Sequence, residues 1–240
     1  MTGWRGRVGL IVPSSNTTAE LEFRIHAPEG VSVHAARMRL ESVTVDELDA
    51  MSDDALRAAS LLADADCDVI AYVCTTGSLL HGPGFDADLE ADLAAEAGVP
   101  AVATALSVDR ALDELDAERI AVVTPYTADL DEREQSYLEA AGYEVAAIDG
   151  RGLTANTDIG WLSDEDAYRQ VRTAIDTLRA DDESADIDAV FVSCTNYRAM
   201  DVLVTLEADL GVPVVSSNSA TLSDVCRTLG VESGRSLSKK

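Results

Sequence analysis

The sequence contains two copies of one pattern, a short apolar run that ends on a cysteine. The first copy is residues 68–77 (DVIAYVCTTG), and the second is residues 188–196 (DAVFVSCTN). Each run has the length of a β-strand that is buried on both faces, and the cysteine lies where that strand would end. Two thiols at equivalent strand ends predict one active site, which Cys74 and Cys194 approach from opposite sides.

The segments around these copies repeat in the same order. Residues 7–13 (RVGLIVP) match 119–125 (RIAVVTP), and residues 98–102 (GVPAV) match 211–215 (GVPVV). Strand-like runs alternate with acidic amphipathic segments, which is the pattern of a parallel α/β protein. We predict strands at 8–12, 31–38, 69–73, 101–104, 120–124, 144–148, 190–193 and 214–216. We predict helices at 45–65, 87–97, 108–115, 130–141, 164–180, 200–210 and 219–229.

The repeat is far longer than the roughly 20–50 residues of a solenoid unit, so it indicates a duplicated lobe. We predict an α/β fold of two pseudo-symmetric lobes, each a four-stranded parallel sheet flanked by helices. The first lobe is residues 1–107 and the second is residues 108–216. The active site is expected in the cleft between them, because open α/β sheets bind ligands at the carboxyl ends of their strands. One continuous eight-stranded sheet is the alternative.

The charge of the chain is strongly negative and evenly spread. The formal net charge is −26, and lysine occurs only at Lys239 and Lys240. Dispersed acids with almost no lysine are typical of proteins from a high-salt cytoplasm. There the Debye length falls to about 3 Å near 1 M salt, which screens the self-repulsion of the surface. The same charge argues against a nucleic-acid partner, which needs basic patches.

Other features of the composition predict a cytoplasmic protein. The chain has no run of about 18 apolar residues that would span a membrane, and no basic-then-apolar signal segment. Its four cysteines lack the spacing of a small secreted disulfide framework, so reduced thiols are expected. No cluster of His, Asp and Glu suggests a metal, and no glycine-rich loop suggests a nucleotide. We therefore predict no cofactor.

The two matched cysteines are the strongest candidates for chemistry. A thiol at a strand end, just before a helix N-terminus, is expected to have a lowered pKa. A single free cysteine is more often a small buried core residue. Two at matching positions, each followed by threonine, favour catalysis by Cys74 and Cys194. Cys67 precedes its strand and Cys226 lies within an amphipathic helix, so both are expected to be structural.

Hydroxyl and amide side chains follow the first strand in residues 13–20 (PSSNTTAE). Such donors at a strand-to-helix turn can bind a carboxylate together with exposed backbone amides. Ordinary helix capping is the alternative, since serine and asparagine also favour caps. Tyr126 follows the equivalent strand of the second lobe, and Asn156 and Asn218 are expected on loops.

Together these motifs resemble the maleate cis–trans isomerase family of the aspartate/glutamate racemase superfamily, which also includes arylmalonate decarboxylases. The motifs are residues 12–20 (VPSSNTTAE), 74–78 (CTTGS), 124–126 (TPY), 156–160 (NTDIG), 193–196 (SCTN) and 216–218 (SSN). The resemblance extends over nearly the whole chain. It implies two α/β lobes, with the C-terminal helix, residues 217–240, returning to the first lobe.

The resemblance also implies an activity and roles for residues. Cys74 would be the nucleophile and Cys194 the proton donor in a cofactor-independent isomerisation of maleate, or of a related cis-enedioate, to fumarate. Asn16, Tyr126 and Asn156 would orient this small dicarboxylate. The other expected substrate-binding residues are Ser15, Thr75, Thr76, Thr195 and Asn196. A homo-oligomer, either a dimer or a tetramer, is implied as well.

Two other classes of function stay open. A two-thiol racemase or epimerase, or a decarboxylase of the same superfamily, would use the same lobes. The racemases, however, open with an acidic, glycine-rich loop where this chain has residues 13–16 (PSSN), and the decarboxylases lack the first-lobe cysteine. A diacid-binding module with inert cysteines is the non-enzymatic alternative. Residues 79–81 (LLH) and 219–222 (SATL) depart from the isomerase pattern and leave the substrate size open.

Overall fold

The computed structural model describes residues 3–40, 45–77, 82, 84–181 and 186–233, with only the backbone of residues 45–53 and 181. Within these residues the strands form two separate parallel sheets of four strands each. The first sheet contains β1 (Gly6–Pro13), β2 (Val31–Met38), β3 (Val69–Tyr72) and β4 (Ala101–Ala103). The second contains β5 (Arg119–Thr124), β6 (Glu144–Gly150), β7 (Ala189–Val192) and β8 (Val214–Ser216).

The two sheets have the same strand order. The first is ordered β2-β1-β3-β4 and the second β6-β5-β7-β8. In each sheet the two central strands are neighbours, with Ile11 beside Tyr72 and Val123 beside Val192. Because the strands are parallel, their carboxyl ends lie at one edge of each sheet. The prediction of two four-stranded parallel sheets flanked by helices is confirmed, and one continuous sheet is excluded.

Helices follow most of the strands. They are α1 (Ala19–His26), α2 (Val45–Ala63), α3 (Phe85–Ala97), α4 (Thr104–Glu114), α5 (Ala128–Ala141), α6 (Asn156–Ile159), α7 (Asp164–Asp181), α8 (Leu203–Leu210) and α9 (Ser217–Leu229). Gly98 and Gly211 end α3 and α8 at equivalent places in the repeat, with φ of 70° and 76°. Glycine takes this left-handed conformation without strain and is favoured there for that reason. No helix of the described residues is both long and apolar enough to cross a membrane.

The sequence missed two short helices and the starts of five others, of which α3 and α5 begin two residues earlier than predicted. The predicted helices did not include α1, and Asn156 begins the single turn of α6 where a loop was expected. Elements of eight and four residues are too short to show a 3.6-residue period. α4 and α9 begin directly after their strands, and α8 begins at Leu203 rather than at residue 200. A capping box between Ser216 and Ser219 starts α9, so residues 216–218 are a helix start.

One apolar cluster joins the two sheets. It contains Leu10 of β1, Val123 of β5 and Val225 of α9, all fully buried. Alternate residues of the strands face outwards into two further clusters, one under α2 and α3 and one under α4 and α5. Each sheet is therefore covered on both faces, as parallel sheets require.

The helix α9 follows the second sheet but packs on the first. It contacts α4 and the strands β3 and β4. The predicted division of the chain between residues 107 and 108 falls inside α4, which connects β4 to β5. The domain limits of 1–107 and 108–216 stay a prediction. A C-terminal helix over all of 217–240 is wrong, because the helix ends at Leu229 with Gly230 as its cap, while residues 234–240 lie outside the described residues.

An arginine connects α9 to the helices of the first half of the chain. Arg110 of α4 donates to Asp224 of α9 at 2.6 Å and to Glu90 of α3 at 2.8 Å. Asp224 is buried and also accepts from Ser107 at 2.9 Å. The carboxylates on both sides raise the pKa of Arg110, so it stays charged. This ion pair network fixes three helices relative to one another.

We expect Arg110→Met to lower the free energy of unfolding by about 2 kcal/mol, because it leaves the buried Asp224 carboxylate without its closest cation. The figure allows for the partial exposure of the arginine. Urea unfolding in molar KCl measures it. The control is Arg57→Met, which removes an exposed pair to Asp54 and should cost less than about 0.5 kcal/mol. Equal effects of the two substitutions would contradict a structural role for the network.

Candidate active site

A small cavity of about 50 Å³ lies at the carboxyl ends of the central strands of both sheets. Cys74, two residues after β3, and Cys194, two residues after β7, both line it. Every predicted site residue except Ser15 is among the lining residues, which include Asn16, Cys74, Thr75, Thr76, Tyr126, Asn156, Cys194, Thr195 and Asn196. Cys67 and Cys226 are buried outside the cavity. The structure thus brings the two matched thiols together.

The sequence analysis did not predict six of the residues that line the cavity, five of which are apolar. They are Pro13, Leu40, Leu130, Leu153, Thr154 and Ile159. In the sequence these leucines look like ordinary core positions of an amphipathic helix or loop. Only Pro13 and Ile159 lie within motifs that had been singled out. Residues 79–81, where the chain departs from the isomerase pattern, lie outside the described residues.

Cys74 is surrounded by hydrogen-bond donors. Its Sγ lies 3.5 Å from Thr76 Oγ1. Burial raises the pKa of the thiol, whereas Thr76, the backbone amide of Gly77 and the Tyr72 phenol lower it. Thr76 and Gly77 have helical backbone, so these amides belong to a helix start, as predicted. Together these effects raise the pKa of Cys74, because desolvation outweighs the donors. The expectation of a lowered pKa is therefore wrong.

Cys194 is the less acidic of the two thiols. Burial raises its pKa to about 12, and negative charge at Cys74 and Glu134 contributes to the rise. No helix begins between Cys194 and Leu203, so the predicted helix N-terminus does not follow this thiol. The Asn196 amide donates to its Sγ at 3.4 Å, and the nearby Tyr126 phenol also lowers the pKa of the thiol. The backbone of Cys194 has φ of 90°, a strained conformation for a residue other than glycine.

The unequal surroundings of the thiols favour one charge at a time. Two helix-start amides and two hydroxyls face Cys74, while Cys194 has fewer donors and a higher pKa. A negative charge on one sulfur raises the pKa of the other, since both lie in the same water-poor cavity. The arrangement therefore favours a thiolate at Cys74 and a protonated thiol at Cys194.

The Tyr126 phenol is available to a ligand. Tyr126 is buried and lines the cavity beside Cys194, and its hydroxyl has no hydrogen-bond partner of ordinary geometry among the described residues. Burial keeps its pKa well above the usual value, so it remains a neutral donor. Unpaired buried hydroxyls are rare because they lose their hydration without compensation. A carboxylate oxygen in the cavity would satisfy this one.

Hydrogen bonds connect the loop after β1 to the loops of the second sheet. Asn156 Nδ2 donates to Ser15 Oγ at 2.7 Å, which explains why Ser15 supports the cavity without lining it. Asn196 Nδ2 donates to the Asn156 carbonyl at 2.6 Å, and Asn196 Oδ1 accepts from the Thr17 amide at 2.9 Å. The two amide side chains are thus held in place largely by each other and by this loop.

Asn16 has a structural function as well as a place in the cavity wall. Its Oδ1 accepts from the amides of Thr18 and Ala19, both at 3.0 Å, which caps the start of α1. Its Nδ2 donates to Thr195 Oγ1 at 3.0 Å. Helix capping, the alternative for this loop, thus applies to the Asn16 side chain, while the binding of a carboxylate by the loop stays a prediction.

The sequence analysis overlooked a buried carboxylate behind the loop of Cys194. Glu22 of α1 accepts from the amides of Ala199 and Met200, each at 2.8 Å, and from Asn218 Nδ2 at 2.7 Å. Asn218 Nδ2 also donates to the Thr195 carbonyl at 2.9 Å. Burial raises the pKa of Glu22 to about 7 despite these three donors. Glu22 and Asn218 thus bind the segment after Cys194 at two places, the amides of Ala199 and Met200 and the carbonyl of Thr195.

The cavity contains no charged side chain among its described lining residues. Across the described part of the chain, no group of three or more His, Cys, Asp or Glu residues is arranged to hold a metal ion. Any carboxylate in the cavity would be bound by neutral hydroxyl, amide and backbone donors in a low-dielectric setting.

The family model of arylmalonate decarboxylases matches residues 8–239. The chain is also 33% identical to the maleate isomerase of Nocardia farcinica in an alignment of 233 positions that covers 93% of this chain and 90% of that protein. The chain belongs to the maleate isomerase and arylmalonate decarboxylase family. The family resemblance drawn from the motifs is confirmed.

Two solved structures of maleate isomerases in this family have the same fold. That of Pseudomonas putida S16 with maleate has a TM-score of 0.85 at 28% identity, covering 94% of this chain and 92% of that one. A Nocardia farcinica maleate cis–trans isomerase, a cysteine-to-serine mutant with a covalently bound succinylcysteine intermediate, has a TM-score of 0.83 at 30% identity. It covers 94% of this chain and 93% of its own.

Glu22 makes the stability of the fold depend on pH near neutrality. Its pKa rises on folding from 4.5 to about 7, so the folded state binds the proton more tightly. The contribution of this group to the free energy of unfolding is greatest below pH 4.5 and falls as the pH rises to about 7. Relative to Glu22→Gln, we expect the wild type to lose on the order of 3 kcal/mol across this range. Urea unfolding at a series of pH values measures this difference.

The matched control is Glu29→Gln, which changes an exposed carboxylate just beyond α1. Its stability should follow the wild-type curve at every pH. Parallel curves for the wild type and Glu22→Gln would show that Glu22 does not titrate in this range.

Proposed function

We propose that this protein catalyses the cofactor-independent cis–trans isomerisation of maleate, or of a closely related cis-enedioate, through a covalent cysteine adduct. The observation that carries the proposal is the meeting of two thiols of unequal acidity in one small cavity with neutral donors. The relatives named maleate isomerase, and the succinylcysteine found in one of them, support the same chemistry.

The first step is the addition of Cys74 to the double bond. Rotation about a C=C bond is blocked until its π bond is removed. The Cys74 thiolate forms a C–S bond to one alkene carbon, and the π electrons move to the other carbon and its carboxylate as an enediolate. Tyr126, Thr75 and Thr76 line the cavity as neutral donors that stabilise this developing charge.

Cys194 completes the cycle. Its thiol gives a proton to the carbanionic α-carbon of the enediolate, the former alkene carbon that did not bond to sulfur, which leaves a succinyl thioether on Cys74 and a thiolate at Cys194. Rotation about the new single bond then brings the carboxylates to opposite sides. The Cys194 thiolate removes a proton from that carbon, the double bond forms again, and Cys74 leaves as the thiolate. The high pKa of Cys194 suits it to hold the proton before each cycle.

The same pair of thiols would also suit a racemase or epimerase. One thiolate would remove an α-proton while the other thiol protonates the opposite face. Deuterium uptake from heavy water into a chiral acid, without change in a double bond, would favour this alternative. A thioether adduct between Cys74 and a diacid, detected by mass spectrometry, would favour the isomerase.

We expect Cys74→Ser and Cys194→Ser each to lower the conversion of maleate to fumarate by about a thousandfold or more, because each removes a group that takes part in bond making. Proton NMR of the vinyl signals in molar KCl measures the rate. Cys67→Ala is the matched control, since Cys67 is a buried thiol outside the cavity. It should keep most of the activity.

Two outcomes would overturn the proposal. Full activity in either serine variant would exclude the two-thiol mechanism. A wild-type protein that is folded in molar KCl and leaves a set of cis-enedioates unchanged would exclude the isomerase. Slow alkylation of both thiols by iodoacetamide at high pH alone would then favour a binding module with inert cysteines.

We also propose that the protein works in a high-salt cytoplasm as a homo-oligomer, either a dimer or a tetramer. The net charge of −26 and the near absence of lysine support the high-salt setting. Large apolar side chains on the surface support association: Trp161 is 86% exposed, and Val204 and Ile25 are 64% and 53% exposed. In such a setting the surface acids remain hydrated while their repulsion is screened.

We expect the urea midpoint of unfolding to rise steadily as KCl is raised from about 0.1 M to above 1 M, because the Debye length falls from about 10 Å to about 3 Å. The control is a triple variant, Asp92→Asn, Glu132→Gln and Asp176→Asn, which removes three exposed charges. Its midpoint should depend less on KCl. A midpoint that is independent of salt in both proteins would contradict adaptation to high salt.

A further inference from the structure

Buried polar atoms without partners are concentrated behind Cys194. Within the described part of the chain, six buried side-chain oxygen atoms have no hydrogen-bond partner of ordinary geometry, and four of them belong to Tyr126, Glu134 and Ser193. Ser193 directly precedes Cys194, and Tyr126 lies beside its sulfur. Unpaired buried oxygens destabilise a fold, so their concentration at one place calls for a functional explanation.

Glu134 is the most unusual member of this group. It is 1% exposed, and neither of its carboxyl oxygens has a hydrogen-bond partner of ordinary geometry among the described residues. It lies on α5 one turn after Leu130, which lines the active-site cavity. Glu134 itself lines a second cavity of about 20 Å³, and Thr75 belongs to the walls of both. The carboxyl group is therefore just behind the wall of the active site.

The other titratable groups near Glu134 leave it without a counter-charge. Asp131, one turn earlier on α5, is bonded to Thr124 Oγ1. Asp109 of α4, which also lines the second cavity, accepts from the Tyr143 phenol at 2.7 Å. Tyr137 of α5, a further lining residue, donates to Asp86. No lysine, arginine or histidine is among the described residues that line this cavity.

We propose that Glu134 is a positioning residue that acts on Cys194 from behind the cavity wall, through Ser193 and Tyr126, and opposes the loss of the Cys194 proton increasingly as the pH rises above neutrality. This role deepens the proposed isomerase, in which Cys194 must begin each cycle as a thiol. When Glu134 is ionised, its charge opposes the loss of the proton from Cys194, because like charges in a medium of low dielectric repel strongly. When it is protonated, it is a neutral neighbour of Ser193.

The acidity of the group agrees with this role. Burial raises the pKa of Glu134 to about 8; the nearby Ser193 hydroxyl lowers it, and Asp131 adds to the rise. The carboxyl is thus mostly protonated at neutral pH and ionises just above it. Its charge in turn raises the pKa of both Cys194 and Tyr126. The influence of Glu134 on Cys194 must therefore grow with pH.

The test is the rate of alkylation of Cys194 by iodoacetamide as a function of pH. It is measured by mass spectrometry of the Cys194 peptide in a Cys74→Ser background, so that it needs no turnover. Below about pH 7, Cys194 should be alkylated as fast in the Glu134→Gln variant as in the parent protein that retains Glu134, because the carboxyl is then protonated. Above about pH 8, the alkylation of Cys194 should become faster in the Glu134→Gln variant than in the parent protein, by about tenfold at the highest pH measured.

Two further variants separate this role from packing. Glu134→Leu also removes the charge, and it should show the same growing difference above about pH 8. Glu132→Gln, an exposed acid on the same helix, should match the parent protein at every pH. A rate ratio that is constant across the pH range in both Glu134 variants, with the fold retained by circular dichroism, would overturn the proposal.

The alkylation test of Glu134 does not require that the substrate of the protein be known. If maleate is not converted but the alkylation difference grows with pH, the role of Glu134 stands while the isomerase fails. In the active enzyme, Glu134→Gln should move the alkaline limb of kcat to lower pH, and an unchanged limb together with an unchanged alkylation profile would exclude the role.

Discussion

The arrangement of the site depends on the hydrogen bonds between the loop after β1 and the loop after β7. Asn16 donates to Thr195, and the Thr17 amide and Thr18 hydroxyl bond to Asn196. These contacts join chain segments that are distant in sequence and set the separation of the two central strand ends. Cys74 follows β3, and Thr195 of the loop after β7 also donates to the Val73 carbonyl at 3.3 Å, so the same loop holds the segment of Cys194 against the segment of Cys74. The amides of Asn16, Asn156 and Asn196 and the Thr75 and Thr195 hydroxyls are used in such bonds, which leaves the Tyr126 hydroxyl to face a ligand.

The reaction centre is poor in charge although the protein as a whole is strongly acidic. The described lining has hydroxyls, amides, thiols and apolar groups, and the nearest buried acids, Glu22 and Glu134, have raised pKa values. Each added negative charge in such a region makes the next less favourable. A thiolate at Cys74 and a dianionic ligand would therefore both favour the protonated forms of the neighbouring acids. Neutral donors have the advantage that they stabilise a developing enediolate without neutralising the thiolate that produces it.

The repeated strand pattern in the sequence predicted much of this architecture. The duplicated apolar runs predicted both sheets, because period and length are set by local geometry. The strand-end position of Cys74, Tyr126 and Cys194 predicted their convergence, since parallel strands end at a common edge. The direction of the thiol pKa values was not predictable, because desolvation depends on the whole surrounding fold. Nor were the roles of Glu22 and Glu134, because nothing in the sequence distinguishes these two buried residues from the rest of the 44 acidic residues.

The positive φ of Cys194 has a consequence for how this protein tolerates change. Glycine is the residue that relaxes such a backbone, so stability alone would favour glycine at this position. A cysteine there accepts conformational strain in order to aim its side chain into the cavity. Directed evolution that selects only for thermal resistance would tend to replace Cys194 by glycine. The more stable product would then lack one of its two reactive thiols.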